Sequence, residues 1–269
     1  MTDTPAAAVA PAKEGRPGVP PMLLEMMKKR GLRDWDLTVT GASQVTPRMR
    51  RVSLTAANLG EFGPKPGQDM VLMLPDGEGG LGRRHYSVRR FDAASKALDI
   101  DVVLHGDSTP GTRFALDAKP GDGILGFGPR GRNVIHPDAG WRLFVSDETG
   151  LPPIFAMLET LPAGAKAFAI IEVADDGDRQ PLQSAADVQI QWVSRGGAHA
   201  DAMSPALIQT LADFQFPPGV GHVYLLGETS TIRRQRHDII ARGMPKAQIF
   251  GEGYWRPGRL GGHDHLEEH

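Results

Sequence analysis

The sequence predicts two domains in series, a six-stranded antiparallel β-barrel followed by a parallel-sheet α/β domain. Three observations predict it. Between Trp35 and Phe127, short apolar runs recur between Gly, Pro and Asp turns, with one helix-forming stretch among them. After Arg132 the rhythm changes to near-continuous apolar strands alternating with helical segments, the pattern of strands covered on both faces. And 269 residues are too many for one small core, which makes two domains the default. The expected boundaries are a disordered tail over residues 1–20, a barrel domain with an N-terminal helix over 21–133, an α/β domain over 134–258 and a flexible tail over 259–269.

The elements follow in order. Residues 1–20 are rich in Ala and Pro and cannot bury enough surface to offset their ordering entropy. Pro21 opens a short amphipathic helix through Leu23, Leu24, Met26 and Met27, stopped near Gly31. Strands are predicted at Leu37–Val39, Met49–Leu54, Met70–Leu74, Tyr86–Phe91, Leu98–Leu104 and Ile124–Phe127. Partial alternation in Leu98–Leu104 suits a barrel wall with a wet outer face. A helix over Gly111–Ala118 interrupts them, and six strands with one helix suggest a closed barrel. Beyond it, strands are expected at Trp141–Val145, Phe168–Val173, Val188–Val193, Val223–Leu226 and Gln248–Tyr254. Helices are expected at Pro152–Leu161, Ala202–Phe214 and Thr231–Arg242.

Composition narrows the function. The net charge of −2 makes no general case for nucleic acid or an anionic membrane, so attraction for an anion must be local. With no cysteine, disulfides, thiolate nucleophiles, cysteine-ligated zinc and built-in iron–sulfur clusters are excluded. A chain of this kind that moves electrons needs a non-covalent organic cofactor. No secretory signal is read at the N-terminus and no apolar stretch exceeds strand length, so a cytoplasmic protein without a membrane span is expected. The carboxylates of Glu172–Asp178 lack calcium-loop spacing, and the histidines of 263–269 read as a solvated terminus; no metal site is expected.

The sharpest local signal is Arg84-His85-Tyr86-Ser87-Val88-Arg89 on a predicted strand. Alternation puts Arg84 and Tyr86 on one face and Ser87 and Arg89 on the other. The set offers a flat aromatic partner, a hydroxyl and two cations, which is what a flavin ring and its pyrophosphate need. His105-Gly106-Asp107-Ser108-Thr109-Pro110-Gly111-Thr112 then leads into the barrel's helix, with free N–H groups and a hydroxyl at its start. Gly126-Phe127-Gly128-Pro129-Arg130-Gly131 ends the barrel with glycines beside a cation.

These segments, in this order, resemble the siderophore-interacting protein family, a branch of the ferredoxin-NADP reductase-like flavoproteins. The resemblance runs through Arg84–Phe91, Asp99–Gly106 and Gly128–Gly131. It continues in Ser146-Asp-Glu-Thr-Gly-Leu-Pro, Gly227-Glu228 and Gly253-Tyr-Trp-Arg-Pro-Gly. It implies an FAD site at Arg84, Tyr86, Ser87 and Arg89, completed by His105, Gly106, Gly111 and Thr112, with Tyr86 and Ser87 at the reacting ring. It implies a nicotinamide side at Asp147, Glu148, Thr149, Gly227 and Glu228, and an aromatic pair, Tyr254 and Trp255, near the flavin. Gly111-Thr112 departs from the family's small residue followed by Ser, but keeps the hydroxyl.

The implied activity is a reductase that passes electrons from NADPH (or NADH) through FAD to an iron(III)-siderophore, releasing iron(II). A large, often anionic chelate calls for an open cationic approach, drawn from Arg48, Arg50, Arg51, Arg83, Arg130 and Arg256, of which Arg48, Arg130 and Arg256 are the expected contacts. NADPH is favoured because Arg233, Arg234 and Arg236 follow Gly227-Glu228. No Gly-x-Gly-x-x-Gly follows the first sheet strand, which argues against a Rossmann dehydrogenase. A monomer is expected, with a ferredoxin as an alternative donor. The rivals are a general flavin or ferredoxin-type reductase and a non-catalytic siderophore carrier.

Overall fold

The computed structural model describes residues 21–258 apart from 78, 107 and 108, together with 264–265. Six antiparallel strands close into a barrel in the order β1-β2-β5-β4-β3-β6. They are β1 (Arg33–Thr46), β2 (Met49–Thr55), β3 (Asp69–Pro75), β4 (Leu81–Asp92), β5 (Ala97–Val103) and β6 (Gly123–Arg130). Trp35, Leu37, Leu54, Leu72, Leu98 and Ile100 fill the interior. Helix α2 (Pro110–Asp117) adds the fully buried Ala115 to the same core.

Strand β1 is much longer than its apolar run suggests. Its first half pairs with β6 and its second half with β2, and a register shift between Val39 and Gly41 marks the corner. Strand β3 is buried on both faces because helix α1 (Pro21–Lys29) covers the outside, packing Met27 against Val71, Met73 and Phe127.

The second domain is a sheet in the order β12-β11-β10-β7-β8-β9. Strands β7 (Trp141–Ser146), β8 (Lys166–Val173), β9 (Asp187–Ser194), β10 (Gly221–Glu228) and β11 (Ile249–Trp255) are parallel. Helices α4 (Pro205–Asp213) and α5 (Thr229–Ala241) cover one face through Leu207, Leu211, Ile232 and Ile239. Helix α3 (Leu151–Leu158) covers the other, and all its residues are buried because it is pressed between the sheet and barrel strand β4. The strand order reverses between β7 and β10, which makes the carboxyl ends of those two strands the crevice where an open α/β sheet takes its ligands.

The tail expected over residues 1–20 lies outside the described residues. Of residues 259–269, expected to be flexible, Asp264–His265 instead form β12, antiparallel to Glu252 and Gly253 of β11. Free backbone groups on the sheet's edge make that pairing available to whatever chain follows. Among the described residues, no group of three or more His, Cys, Asp or Glu could hold a metal ion, and no helix is long and apolar enough to cross a membrane.

Candidate active site

A cavity of about 700 Å³ lies between the barrel and the carboxyl edge of the sheet. That is within the roughly 300–1,000 Å³ of small-molecule sites. The barrel contributes Arg84, Tyr86 and Ser87 from β4, and His105, Gly106, Gly111 and Thr112 from the loop into α2. The sheet domain contributes Glu148, Thr149, Arg195, Tyr254, Trp255 and Arg256.

The α2 entrance is fixed by its own side chains. Thr109 caps the helix by accepting from the Thr112 amide at 3.2 Å, and the Thr112 hydroxyl donates to the His105 carbonyl at 3.3 Å. Pro110 follows at the first helical position, where its missing N–H costs nothing. Gly111 is required, because the Tyr86 hydroxyl stands where a β-carbon would go. Burial pushes the Tyr86 phenol well above its ordinary range, against the opposing charge of Arg84, so the ring is neutral at physiological pH. Arg84 is half-buried, and its guanidinium reaches back to the Arg83 carbonyl at 2.8 Å.

The sheet side is organised around Asp147, just past β7. Its carboxylate accepts from the Thr149 amide (2.8 Å), the Glu228 amide (2.8 Å) and the Trp255 indole (2.9 Å). Gly227, at φ 130°, leaves the space this carboxylate occupies: an added β-carbon would lie 2.6 Å from it. Burial, reinforced by the neighbouring Glu148 charge, pushes the Asp147 carboxyl up to about 6. Glu228 caps α5, accepting from the Ser230 and Thr231 amides at 2.8 and 2.7 Å. Burial pushes its carboxyl up, but these bonds prevail and hold it below the ordinary range. Tyr254 is half-buried beside Ser87 and Asn133, to which its hydroxyl is hydrogen-bonded.

Several expected site residues do other work. Arg89, expected as a pyrophosphate cation, does not line the cavity; its guanidinium is buried against Glu159 of the second domain. Arg130, expected on the chelate rim, is turned inward against His85, Asp69 and Glu252, because that pocket of buried carboxylates needs a counter-charge. Asp147, Gly227 and Glu228 shape the turn rather than face the cavity: none of the three lines it, and both carboxylates are taken up by donors. Arg48 does line the cavity, with its guanidinium on Asp175 and Asp178 at 2.7 and 2.8 Å. Arg51 is committed to Asp101. Arg233, Arg234 and Arg236 on α5 lie outside the cavity, and Arg234 pairs with Asp238 of its own helix.

Arg195 is the cation that sequence reasoning passed over. It directly follows β9, donates to Glu148 with two bonds of 2.6 Å and to Glu172 at 3.0 Å, and lines the cavity with His199. Its place at the carboxyl end of a parallel strand was the signal available.

The residues fit FAD. The start of α2 and the Arg84 guanidinium suit the pyrophosphate, the Tyr86 ring suits close approach of a flat ring, and Ser87 offers a hydroxyl at its edge.

Comparison with known proteins agrees with this geometry. Residues 74–133 match the model of the siderophore-interacting FAD-binding domain, and residues 139–258 that of the siderophore-interacting protein family. The chain is 31% identical over 193 residues to the ferric vibriobactin reductase ViuB of Vibrio cholerae, covering 69% of each chain. It is 27% identical over 168 residues to an NADPH-dependent ferric-chelate reductase of Escherichia coli, covering 61% of this chain and 63% of the other. The crystal structure of a siderophore utilization protein from T. fusca superposes with a TM-score of 0.78 at 33% identity, over 85% of this chain and 95% of that one. The siderophore-interacting protein SipS of Aeromonas hydrophila superposes with a TM-score of 0.72 at 28% identity, over 85% and 93%.

Proposed function

Because the chain belongs to the siderophore-interacting protein family, we propose that it is a ferric-siderophore reductase, an NADPH-dependent flavoprotein that reduces the chelated iron(III) to iron(II). The observation that carries the reading is that one cavity is shared by the flavin cradle of the barrel and the carboxyl edge of the sheet, with Arg48, Arg84, Arg195 and Arg256 around it. Bound FAD supplies the exchange between a two-electron hydride donor and a one-electron metal acceptor.

The protein's part is binding, orientation and charge. Arg84 and the start of α2 hold the pyrophosphate, while Tyr86 and Tyr254 bound the ring and Ser87 presents its hydroxyl at the edge. Trp255, fixed through its indole to Asp147, closes the site from the sheet side. Arg195, held by Glu148 and Glu172, offers the cation for a dinucleotide phosphate at the donor edge. NADPH is the preferred donor over NADH, with a ferredoxin the alternative. Iron(II) binds hard oxygen ligands more weakly than iron(III), so reduction releases the metal. On this reading the protein is a monomer acting in the cytoplasm.

The test is anaerobic stopped-flow with the FAD-loaded protein. NADPH should bleach the flavin, and a ferric siderophore should restore its colour as an iron(II)-selective chromogenic chelator traps the product. A flavin reduced by NADPH that returns its electrons to ferredoxin but not to ferric chelates would make the protein a general reductase. A protein that binds ferric siderophore but no flavin would make it a carrier.

A further inference from the structure

Arg89 stands at a β-bulge. Val88 faces Ile100 of β5 and Arg90 faces Asp99, so β4 carries one residue more than its partner there. The extra residue shifts the alternation: Tyr86, Val88 and Phe91 pack on the barrel core, and Arg89 and Arg90 both come to the outside. Arg90 is exposed, whereas Arg89 is only 3% exposed. Bulges re-aim side chains in this way. The Arg89 guanidinium donates to both Glu159 oxygens at 2.7 and 2.6 Å and lies 5.6 Å over the Phe155 ring. On its other side Asp101 is 3.8 Å away, itself held by Arg51. Glu159 closes the C-terminus of α3, where the helix dipole disfavours a carboxylate unless a cation meets it.

Both partners reach the cavity at their far ends. Ser87, two residues before Arg89, lines it, and so does Pro152 in the first turn of α3. The helix between Pro152 and Glu159 is a rigid rod of ~12 Å. The ion pair therefore ties the strand that presents the flavin-side hydroxyl to the helix whose other end presents the donor-side turn.

We propose that the Arg89–Glu159 pair is a positioning clamp for hydride transfer: it sets how closely the nucleotide held at the Asp147–Pro152 turn approaches the flavin, without touching either. The transfer takes one hydride from NADPH and leaves NADP+. The clamp rests on the donor assignment above, and the test separates the two. Glu159→Gln and Arg89→Lys each break the bidentate pair at little cost in volume, and the exchange Arg89→Glu with Glu159→Arg restores it reversed. Both single variants should keep their flavin-to-protein ratio. Once reduced with dithionite, they should be reoxidised by ferric-EDTA within twofold of the wild-type rate. Flavin reduction at saturating NADPH should slow at least tenfold, and the exchange should recover it to within about threefold of wild type. In the apoprotein, amide hydrogen exchange in α3 and β4 should quicken in the single variants and return in the exchange. Equal losses in both half-reactions would make the pair merely structural, and unchanged reduction by NADPH would remove the clamp; either overturns the proposal. If the wild-type flavin is not reduced by NADPH, the donor reading fails and the hydride-transfer clamp falls with it; wild-type reduction by NADPH with unslowed variants overturns the clamp alone.

Discussion

The Trp255 indole nitrogen donates to the Oδ2 atom of Asp147 at 2.9 Å, joining the end of the sheet's last parallel strand to the turn after its first. The same oxygen accepts the Glu228 amide that follows β10. One buried carboxylate thus ties three strand ends at the crevice, and an aromatic side chain on the cavity wall depends on it.

That arrangement makes a pH prediction. Burial, with Glu148 adding to it, raises the Asp147 carboxyl to about 6. A carboxyl raised above its unfolded value of ~3.9 adds stability that is complete below about pH 4 and lost as pH rises through about 6. Two units correspond to roughly 3 kcal/mol at most. In Asp147→Asn the charge is gone at every pH. The melting temperature of the variant minus that of wild type should therefore climb by several degrees between pH 5 and pH 8. His136 and His222, both lowered first of all by burial, titrate in the two proteins alike and drop out of the difference. Thermal melts of the apoproteins in matched buffers decide it; a difference that stays flat with pH means the carboxyl does not titrate near 6.

Arg84→Ala should empty the flavin site while leaving the barrel folded. Charge-assisted bonds contribute roughly 1.5–3 kcal/mol each, which corresponds to about a tenfold to hundredfold loss of FAD affinity. The guanidinium bonds only to a neighbouring backbone carbonyl among the hydrogen bonds described, so its removal opens no core. Flavin content of the purified variant, with circular dichroism as the control for folding, reads the outcome, and unchanged content would refute the pyrophosphate assignment.

Where the sequence was legible, one strong local rule operated. Period-two and apolar-run patterns located all the barrel strands and all five parallel strands, and the helix expected over Gly111–Ala118 runs from Pro110 to Asp117, one residue earlier at each end. What stayed hidden was long-range pairing of charge. Arg84 and Arg89 look alike in Arg84–Arg89, yet a one-residue bulge sends Arg89 to Glu159, 70 positions away. Arg130 likewise sits beside permissive glycines, while its partners Asp69 and Glu252 come from two different domains. Asp147, Glu148 and Glu228 were legible as the crevice. Their division of labour was not, because it depends on which carboxylate finds donors and which finds Arg195.

Gly111→Ala should cost flavin binding more than stability. The new β-carbon would meet the Tyr86 hydroxyl, the end of a stiff ring packed against the barrel core, and the ring can only yield by leaving the wall of the cavity. Tyr86→Phe removes the colliding oxygen, so the double variant should recover flavin that the single one loses. Flavin-to-protein absorbance ratios for the four proteins form the test. A double variant as empty as Gly111→Ala alone would mean that the glycine serves the cofactor's own approach and not the tyrosine.

On the iron side, the prediction separates Arg256 from Arg130. Arg256 follows Trp255 and lines the cavity, whereas Arg130 is turned against His85, Asp69 and Glu252. If anionic chelates dock on a cationic mouth, the second-order rate of flavin reoxidation should fall as ionic strength rises, because exposed attraction is screened within ~8–10 Å at 0.1–0.15 M salt. Arg256→Ala should lower that rate several-fold and flatten its salt dependence, with flavin content and reoxidation by a small neutral quinone held near wild type. Arg130→Ala should behave differently: two buried carboxylates lose their counter-charge, so melting temperature and flavin content should drop together. Loss with every acceptor in Arg256→Ala would assign the arginine to packing its stem on the last strand. Loss confined to anionic chelates would place the docking of the ferric siderophore at Arg256, at the cavity mouth beside Trp255.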